Sequence, residues 1–450
     1  MMAGDVAEPR VRRWRWEMLT GGTAILQEDA FRRLWFGRVL SHTGLNAVLY
    51  TLLVLAVGEG AGASIKSALF ITAYLVPTAI LATVSGVLVD RLPKNQVLSA
   101  VNIGRLGLML ILLMSDTSLW VIYIIALLLA ITSQFSTPAE AAALPQVVKS
   151  DQLTTANSVG NLGGLVSQVV GFAVLPPIFL NLSFVGPKPL FLIAAVLFGG
   201  AAVIFLSIRR LGTRDVDIDR VVDSVREVRK QFAQAWETLS RDLGAYMSVI
   251  IVVLASTASL VGVTLMPLFT QDALGIPVRN AVFVFLPAAI GVLAGLRLVQ
   301  WLERRIPKAW LVGAGFAVFA AAYVGLALTR PFGAMLEDMN LLGLFHPGPF
   351  GDTSARIVVT VGFSTLAAFA FSVVGVSSRS LLNQRLPLEI QGRVFAAQHV
   401  LTNLASIPPI LLAGLLAVVF GVEWVMVLTI IVLVGIAAWT AARAAARPVT

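Results

Sequence analysis

A chain of 450 residues that is 58% hydrophobic and only 13% charged is too apolar for a soluble domain, in which about a quarter of residues are charged. The net charge of +9 invites a nucleic-acid partner, but the bases sit in short polar connections and form no stripe interleaved with aromatics, so no nucleic acid is expected. With no cysteine and three scattered histidines, a disulfide, a thiolate nucleophile, a Cys-based metal site and a histidine metal set are not expected, and no cofactor is implied.

The first residues, MMAGDVAEPRVRRWRWEM, carry arginines with no apolar run behind them, unlike a secretory signal. Residues 24–37, AILQEDAFRRLWFG, read as a short helix lying at the membrane interface. Trp14, Trp16, Trp35 and Phe36 suit that level, where amphipathic rings prefer to sit. Apolar runs of about 20 residues then recur, each able to cross about 30 Å of hydrocarbon as a helix. They cover about 38–59, 66–89, 97–115, 118–137, 153–177, 188–208, 246–270, 277–302, 309–330, 356–384, 394–420 and 422–442. The runs are continuously apolar rather than alternating, which excludes barrel strands. The fold class is therefore all-α and polytopic, with twelve transmembrane helices.

Several polar residues interrupt these runs. His42, of a residue type whose reference pKa is near neutrality, lies in the first span, and Glu59 ends that span. The second and third spans are joined by GVLVDRLPKNQVL, residues 86–98, where Asp90, Arg91 and Lys94 crowd around Pro93. The third span holds NIGR, Asn102 to Arg105. Arg105 reads either as a contact for an anionic substrate group or as a partner of Asn and backbone carbonyls. Arg297, near the end of the eighth span, snorkels. Asn46, Gln134, Asn157, Asn161, Gln168 and Asn403 are the remaining cavity candidates, though polar residues also join transmembrane helices. Gly160, Gly163, Gly164 and Gly171 make one face of the fifth span small, for close packing. Pro77, Pro176, Pro177, Pro408 and Pro409 read as kinks. No Asp or Glu is expected near mid-membrane: Asp116, Glu140 and Glu423 fall at ends or loops, and Asp272 follows the seventh span. With Glu59, His42 and Asp272 as the only proton-coupling candidates, a buried-carboxylate relay is weakened.

The longest polar segment, 209–245, continues as an amphipathic helix with Val221, Val225, Val228, Phe232, Trp236, Leu239 and Leu243 on one face. Its DVDID lacks the Gly and Glu of a calcium loop. On either side the chain repeats itself. RLPKNQVL at 91–98 matches RIPKAWLV at 305–312, and ALPQVVKSDQ at 143–152 matches RLPLEIQGRV at 385–394. The second offset exceeds the first because of an inserted external segment, 331–356. The organisation is a cytoplasmic segment 1–37, a six-helix bundle 38–208, a linker 209–245, a second bundle 246–442 and a tail 443–450. Parallel six-helix repeats are an architecture of secondary transporters. About 26 of the 33 Lys and Arg fall in the termini and even-numbered connections, which places both termini in the cytoplasm of a cell that carries this protein in its plasma membrane.

GVLVDRLPKNQ resembles the loop signature of the major facilitator superfamily: Gly, three residues, Asp, Arg, then bases. Pro93 and Asn95 depart from the family pattern. The resemblance covers about residues 31–442. It implies a conformational-switch role for Gly86, Asp90, Arg91 and Lys94. Gly86 lets two helices approach, and Asp90 meets the start of the eleventh helix near Gly392 and Arg393 when that side is closed. STPAEAAALPQVVKSDQLTTANSV at 136–159 and LPLEIQGRVF at 386–395 resemble the macrolide-efflux and enterobactin-exporter branch. That branch implies export of a small amphipathic substrate in exchange for protons by a monomer in the lipid bilayer. A lipid flippase and a non-transporting membrane scaffold are the alternatives. Neither a GxxxxGK[ST] loop nor HExxH is present, so no enzyme is expected.

Overall fold

The computed structural model describes residues 25–58, 62–181, 186–209, 211–212, 237, 239, 242–339 and 353–445. Among them the regular structure is entirely helical. Twelve long helices follow in order: α1 (Asp29–Val57), α2 (Ala63–Asp90), α3 (Lys94–Met114), α4 (Leu119–Val147), α5 (Ser150–Asn181), α6 (Lys188–Leu206), α7 (Leu243–Asp272), α8 (Val278–Leu302), α9 (Lys308–Ala327), α10 (Thr353–Arg385), α11 (Leu388–Phe420) and α12 (Val422–Ala445). Eleven are long and apolar enough to cross a bilayer, and α2 has a shorter apolar stretch, Ala63–Thr78. The expected twelve spans are thus present, with boundaries moved by the packing of their ends.

One boundary changes the reading of the N-terminus. Residues 29–37 are not a separate interfacial helix but the first turns of α1, which no Gly–Pro break interrupts. Trp35 turns inward and its Nε1 donates to the Val159 carbonyl of α5 at 2.9 Å, while Phe36 stays 48% exposed. Trp14 and Trp16 lie outside the described residues.

Two long helices are irregular. Within α5, Val169–Val174 is wound as a π-helix immediately before Pro176 and Pro177, which withdraw two N–H donors from the ladder. In α8, the helical pieces Ala281–Phe285 and Ala288–Leu302 are separated at Leu286–Pro287. By contrast α11 runs unbroken through Pro408 and Pro409, so these are not helix ends. It stops at Gly421, whose φ of +82° suits a residue without Cβ, and α12 begins at once.

By contacts the chain forms two units. The first contains Met1–Leu49, Val84–Asp116 and Ile131–Val221. One of its cores joins Leu34, Val89, Leu98, Ala139, Ala201 and Phe205. The glycine face of α5 packs as expected: a Cβ at Gly163 would strike Trp35 at 2.7 Å, and one at Gly171 would meet the Thr43 carbonyl at 2.8 Å. Gly164 meets no described atom, so the small face is narrower than the sequence implies.

The second unit contains Tyr50–Thr83, Thr117–Ala130 and Val222–Thr450. Leu239 of the linker is buried with Ala245, Val249 and Leu382, and the rest of the linker's apolar face lies almost wholly outside the described residues. The insert 331–356 is not wholly loop. Thr329–Met339 is a short helix tied to α12 by Arg330 and Glu423 at 2.9 Å, and residues 340–352 lie outside the description.

Candidate functional site

The charged knot between α2 and α3 is a stitched turn. Pro93 caps α3 in extended conformation, with φ −61° and ψ 117°. Lys94 is 5% exposed, and its Nζ donates to the carbonyls of Asp90 at 2.7 Å and Leu92 at 3.0 Å. A cation there satisfies carbonyls that the end of α2 leaves unpaired. The Lys94 N–H donates to the Leu211 carbonyl, and the Asn95 amide takes both the Ile208 carbonyl and the Leu211 N–H. Asn95, a departure from the family signature, is therefore the clamp that holds the chain leaving α6. The Asp90 side chain is exposed. Gly86 is a correction: no described atom lies within 4 Å of a Cβ placed there, so helix approach does not explain the glycine. The same local design recurs at α9, where Pro307 is the extended N-cap and Lys308 follows it. The second sequence repeat diverges locally, since Pro145 lies inside α4 whereas Pro387 caps α11.

Arg105 is 1% exposed and its guanidinium is ringed by hydroxyls. Nε donates to Thr132 at 3.0 Å, Nη1 to Ser41 at 2.9 Å, and Nη2 to Ser133 at 3.0 Å and Ser136 at 3.3 Å. The Phe198 ring lies 5.8 Å away. Asn102, fully buried, donates to the Leu98 carbonyl one turn back. Both were candidates for an open cavity. Here they are packed inside the first unit, because α1, α3, α4 and α6 converge on them. The signal in the sequence was the run TSQFST at 132–137, which brings hydroxyls to successive turns of one helix.

Glu140 is the principal correction. Helix α4 does not end near 137 but continues through Pro138 and Pro145 to Val147. Prolines are tolerated in transmembrane helices when neighbours re-satisfy the freed backbone groups. Glu140 thus stands inside the helix, seven residues and about 10 Å from its end. It is 8% exposed. His42 Nε2 lies 3.0 Å from its Oε1 and 3.1 Å from its Oε2. Arg38 Nε lies 3.1 Å from Oε2, an ion-pair distance without the alignment of a hydrogen bond. Arg105 adds a further cation to its field. A buried carboxylate with a histidine and an arginine is therefore present, and His42 is the one proton-coupling candidate in it. The cue was the helix-favouring PAEAAAL, which gives α4 no reason to stop.

The other candidates scatter. Asn46 packs its Cβ against Gly171. Asn157 is exposed and donates to Leu153 of its own helix, while Asn161 and Gln168 are exposed. Gln134 is partly buried on α4. Asn403, 6% exposed, lies 3.3 Å from His399 Nε2. Asp272 is an exposed helix end whose carbonyl accepts from Arg330. Arg91 and Arg393 are partly buried, Gly392 is exposed, and Glu59 lies outside the described residues.

The second unit is closed at the end carrying the α1–α2 and α7–α8 connections. The Tyr50 hydroxyl donates to the Val278 carbonyl at 3.2 Å and lies 3.3 Å from the Val282 N–H. Ser64 donates to the Gly414 carbonyl at 2.8 Å, and a Cβ at Gly414 would strike Ala68. These contacts fasten the tips of α1 and α2 to α8 and α11.

The profile of the Major Facilitator Superfamily matches residues 34–407. An uncharacterized MFS-type transporter, YvqJ of Bacillus subtilis (strain 168), is 21% identical over 396 residues, covering 87% of this chain and 86% of that protein. Among solved structures, a mutant of the nucleoside transporter NupG superposes with a TM-score of 0.68 at 14% identity, over 93% of this chain and 99% of that one. A bacterial homolog of the human lysosomal transporter Spinster, inward-facing and unoccupied, gives 0.64 at 13% identity, over 93% and 97%. A bacterial homologue of the iron transporter ferroportin, outward-facing, gives 0.55 at 16% identity, over 93% and 100%.

Proposed function

The chain belongs to the major facilitator superfamily, and from that premise we propose that it is a secondary active transporter in the plasma membrane, exporting a small amphipathic compound by alternating access in exchange for protons. The observation that carries the coupling is Glu140 held between Arg38 and His42. An acid in an apolar setting is costly and is retained for a use. Protonating Glu140 removes the charge that draws α4 to Arg38 and His42 of α1, and releasing that proton restores it. A transport cycle that exposes this cluster first to one side and then to the other therefore carries protons.

The choice of an amphipathic cargo rests on the resemblance of residues 136–159 to the macrolide-efflux branch. The fold alone does not choose, since the structural neighbours include transporters named for nucleosides and for iron. A flippase acting on lipid chains is the second reading, favoured by an apolar cavity in the second unit. The test is flux in proteoliposomes with and without a pH gradient. Wild type concentrates an amphipathic solute against its gradient when driven by protons. Glu140→Gln keeps downhill exchange and loses the proton-driven part. Full proton-driven flux in Glu140→Gln removes this acid from the coupling, and no flux of any solute under any gradient favours a scaffold.

A further inference from the structure

Within the second unit, α7, α8, α9, α10 and α12 leave a cavity of about 310 Å³. Its wall is almost entirely carbon, with the rings of Phe269, Phe285, Phe319, Phe371 and Tyr323 and the thioether of Met426. Three hydroxyls reach it, and each is already engaged. Ser259 donates to the Ala255 carbonyl, Ser364 to the Val361 carbonyl and Tyr323 to the Ala258 carbonyl. A water needs two to four polar partners to stay in such a space, and these three hydroxyls, with their hydrogens already engaged, could only accept from it. The cavity therefore suits an apolar guest better than water. An apolar cavity of about 150 Å³ already holds benzene, so this one has room for about twice that.

The gap has a cause in the chain. On the cavity wall, between Phe285 and Ala288, α8 is interrupted at Leu286–Pro287. Pro287 has no N–H to continue the ladder. Beyond the break α8 lies tight on α10, where a Cβ at Gly291 would collide with the Thr365 carbonyl and one at Gly295 with the Ser372 hydroxyl. Ala288 and Val292 of α8 and Ala368 and Phe371 of α10 line the cavity from the same turns, so the clamped helix pair forms one fixed wall of it. Val263 lines the space and is 46% exposed, which marks its mouth.

We propose that this cavity is a binding site for the apolar part, an alkyl chain or an aromatic ring, of an amphipathic molecule. Binding stands on the cavity alone, and only its role in moving cargo rests on the transporter reading. Each methylene taken from water into such a site tightens binding by about fourfold.

Photolabelling of the full-length protein in phosphatidylcholine proteoliposomes tests the assignment. One probe is a phosphatidylcholine with a diazirine at its chain end, and the other is a water-soluble quaternary alkylamine with the same chain. Mass spectrometry should find adducts on peptides containing Phe285, Phe371 or Phe269. Adducts from the lipid probe identify a bilayer chain as occupant, and adducts from the alkylamine identify a solute. Ala368→Phe puts a benzene-sized ring into the space, excludes at least about two methylenes of ligand and lowers labelling about tenfold or more. Ala367→Leu serves as the smaller filling change if the thermal melt of Ala368→Phe shows misfolding. Labelling that is absent from these peptides, or equal in wild type and in a folded filled variant, overturns the site. Labelling without flux in any condition leaves the site standing and removes the transporter reading. Flux without labelling does the opposite.

Discussion

Replacing Glu140 with Gln keeps the side-chain volume and one carbonyl acceptor for His42, and deletes the charge that faces Arg38. Breaking a fully buried ion pair by removing one partner costs about 3–5 kcal/mol, because the other charge stays desolvated and uncompensated. Here Glu140 is buried, but Arg38 and His42 are 36% and 30% exposed. Both can regain water. The expected loss is therefore reduced to about 1–3 kcal/mol. Equilibrium unfolding at pH 7, in lipid nanodiscs, measures it for Glu140→Gln, His42→Gln and the double variant. The side chains touch, so the cycle should show a coupling of about 0.5–2 kcal/mol. A coupling near zero at pH 7, with Glu140→Gln as stable as wild type, would refute the placement of this acid between the two bases.

Three further outcomes are expected. Partial burial pushes the Asp242 carboxyl up, but the Ala245 N–H and the Arg385 guanidinium outweigh it and hold the carboxyl below its usual range. Its contribution is fully present above about pH 4 and is lost as pH falls through the lowered folded value. Asp242→Ala should cost about 1–2 kcal/mol at pH 7 as cap and half-exposed ion pair are lost together, and Asp242→Asn, which keeps the cap, less than about 1; equal losses in thermal melts would contradict the cap. In the α2–α3 turn, Lys94→Ala should lower stability by about 1–3 kcal/mol because two partly buried carbonyls lose their donor, while Asp90→Asn should change it by less than about 0.5, since Lys94 uses the backbone oxygen of Asp90. Comparable melting points for these two variants would show that the clamp is misassigned. Ser118 and Lys149 flank α4, so single cysteines there should react with an impermeant maleimide from opposite faces of the membrane, Ser118 from outside. Reaction of both from one face would remove α4 as a span.

The apolar runs determine the twelve helices, because about 20 apolar residues have few soluble alternatives. The sequence also carries the Pro–Lys start shared by α3 and α9, since a proline that fixes φ and a following base act within a few residues of each other. The glycines of α5 were legible as a packing face for a similar reason: their effect is a missing side chain, which needs no named partner to be noticed. The charged site was not legible. His42 and Glu140 are 98 residues apart, and Arg105 and Ser41 are 64 apart. Nothing local in either stretch says which helix the other will meet. Glu140 was expected at an end or loop because the fourth apolar run closes at about 137, yet neighbouring helices let α4 run on through Pro138 and carried the acid inside. Gly86 failed in the opposite direction, with a motif suggesting a contact where the described residues leave open space. Tertiary packing decided these points because burial and charge pairing depend on distance in space. The sequence records only the groups available to be paired.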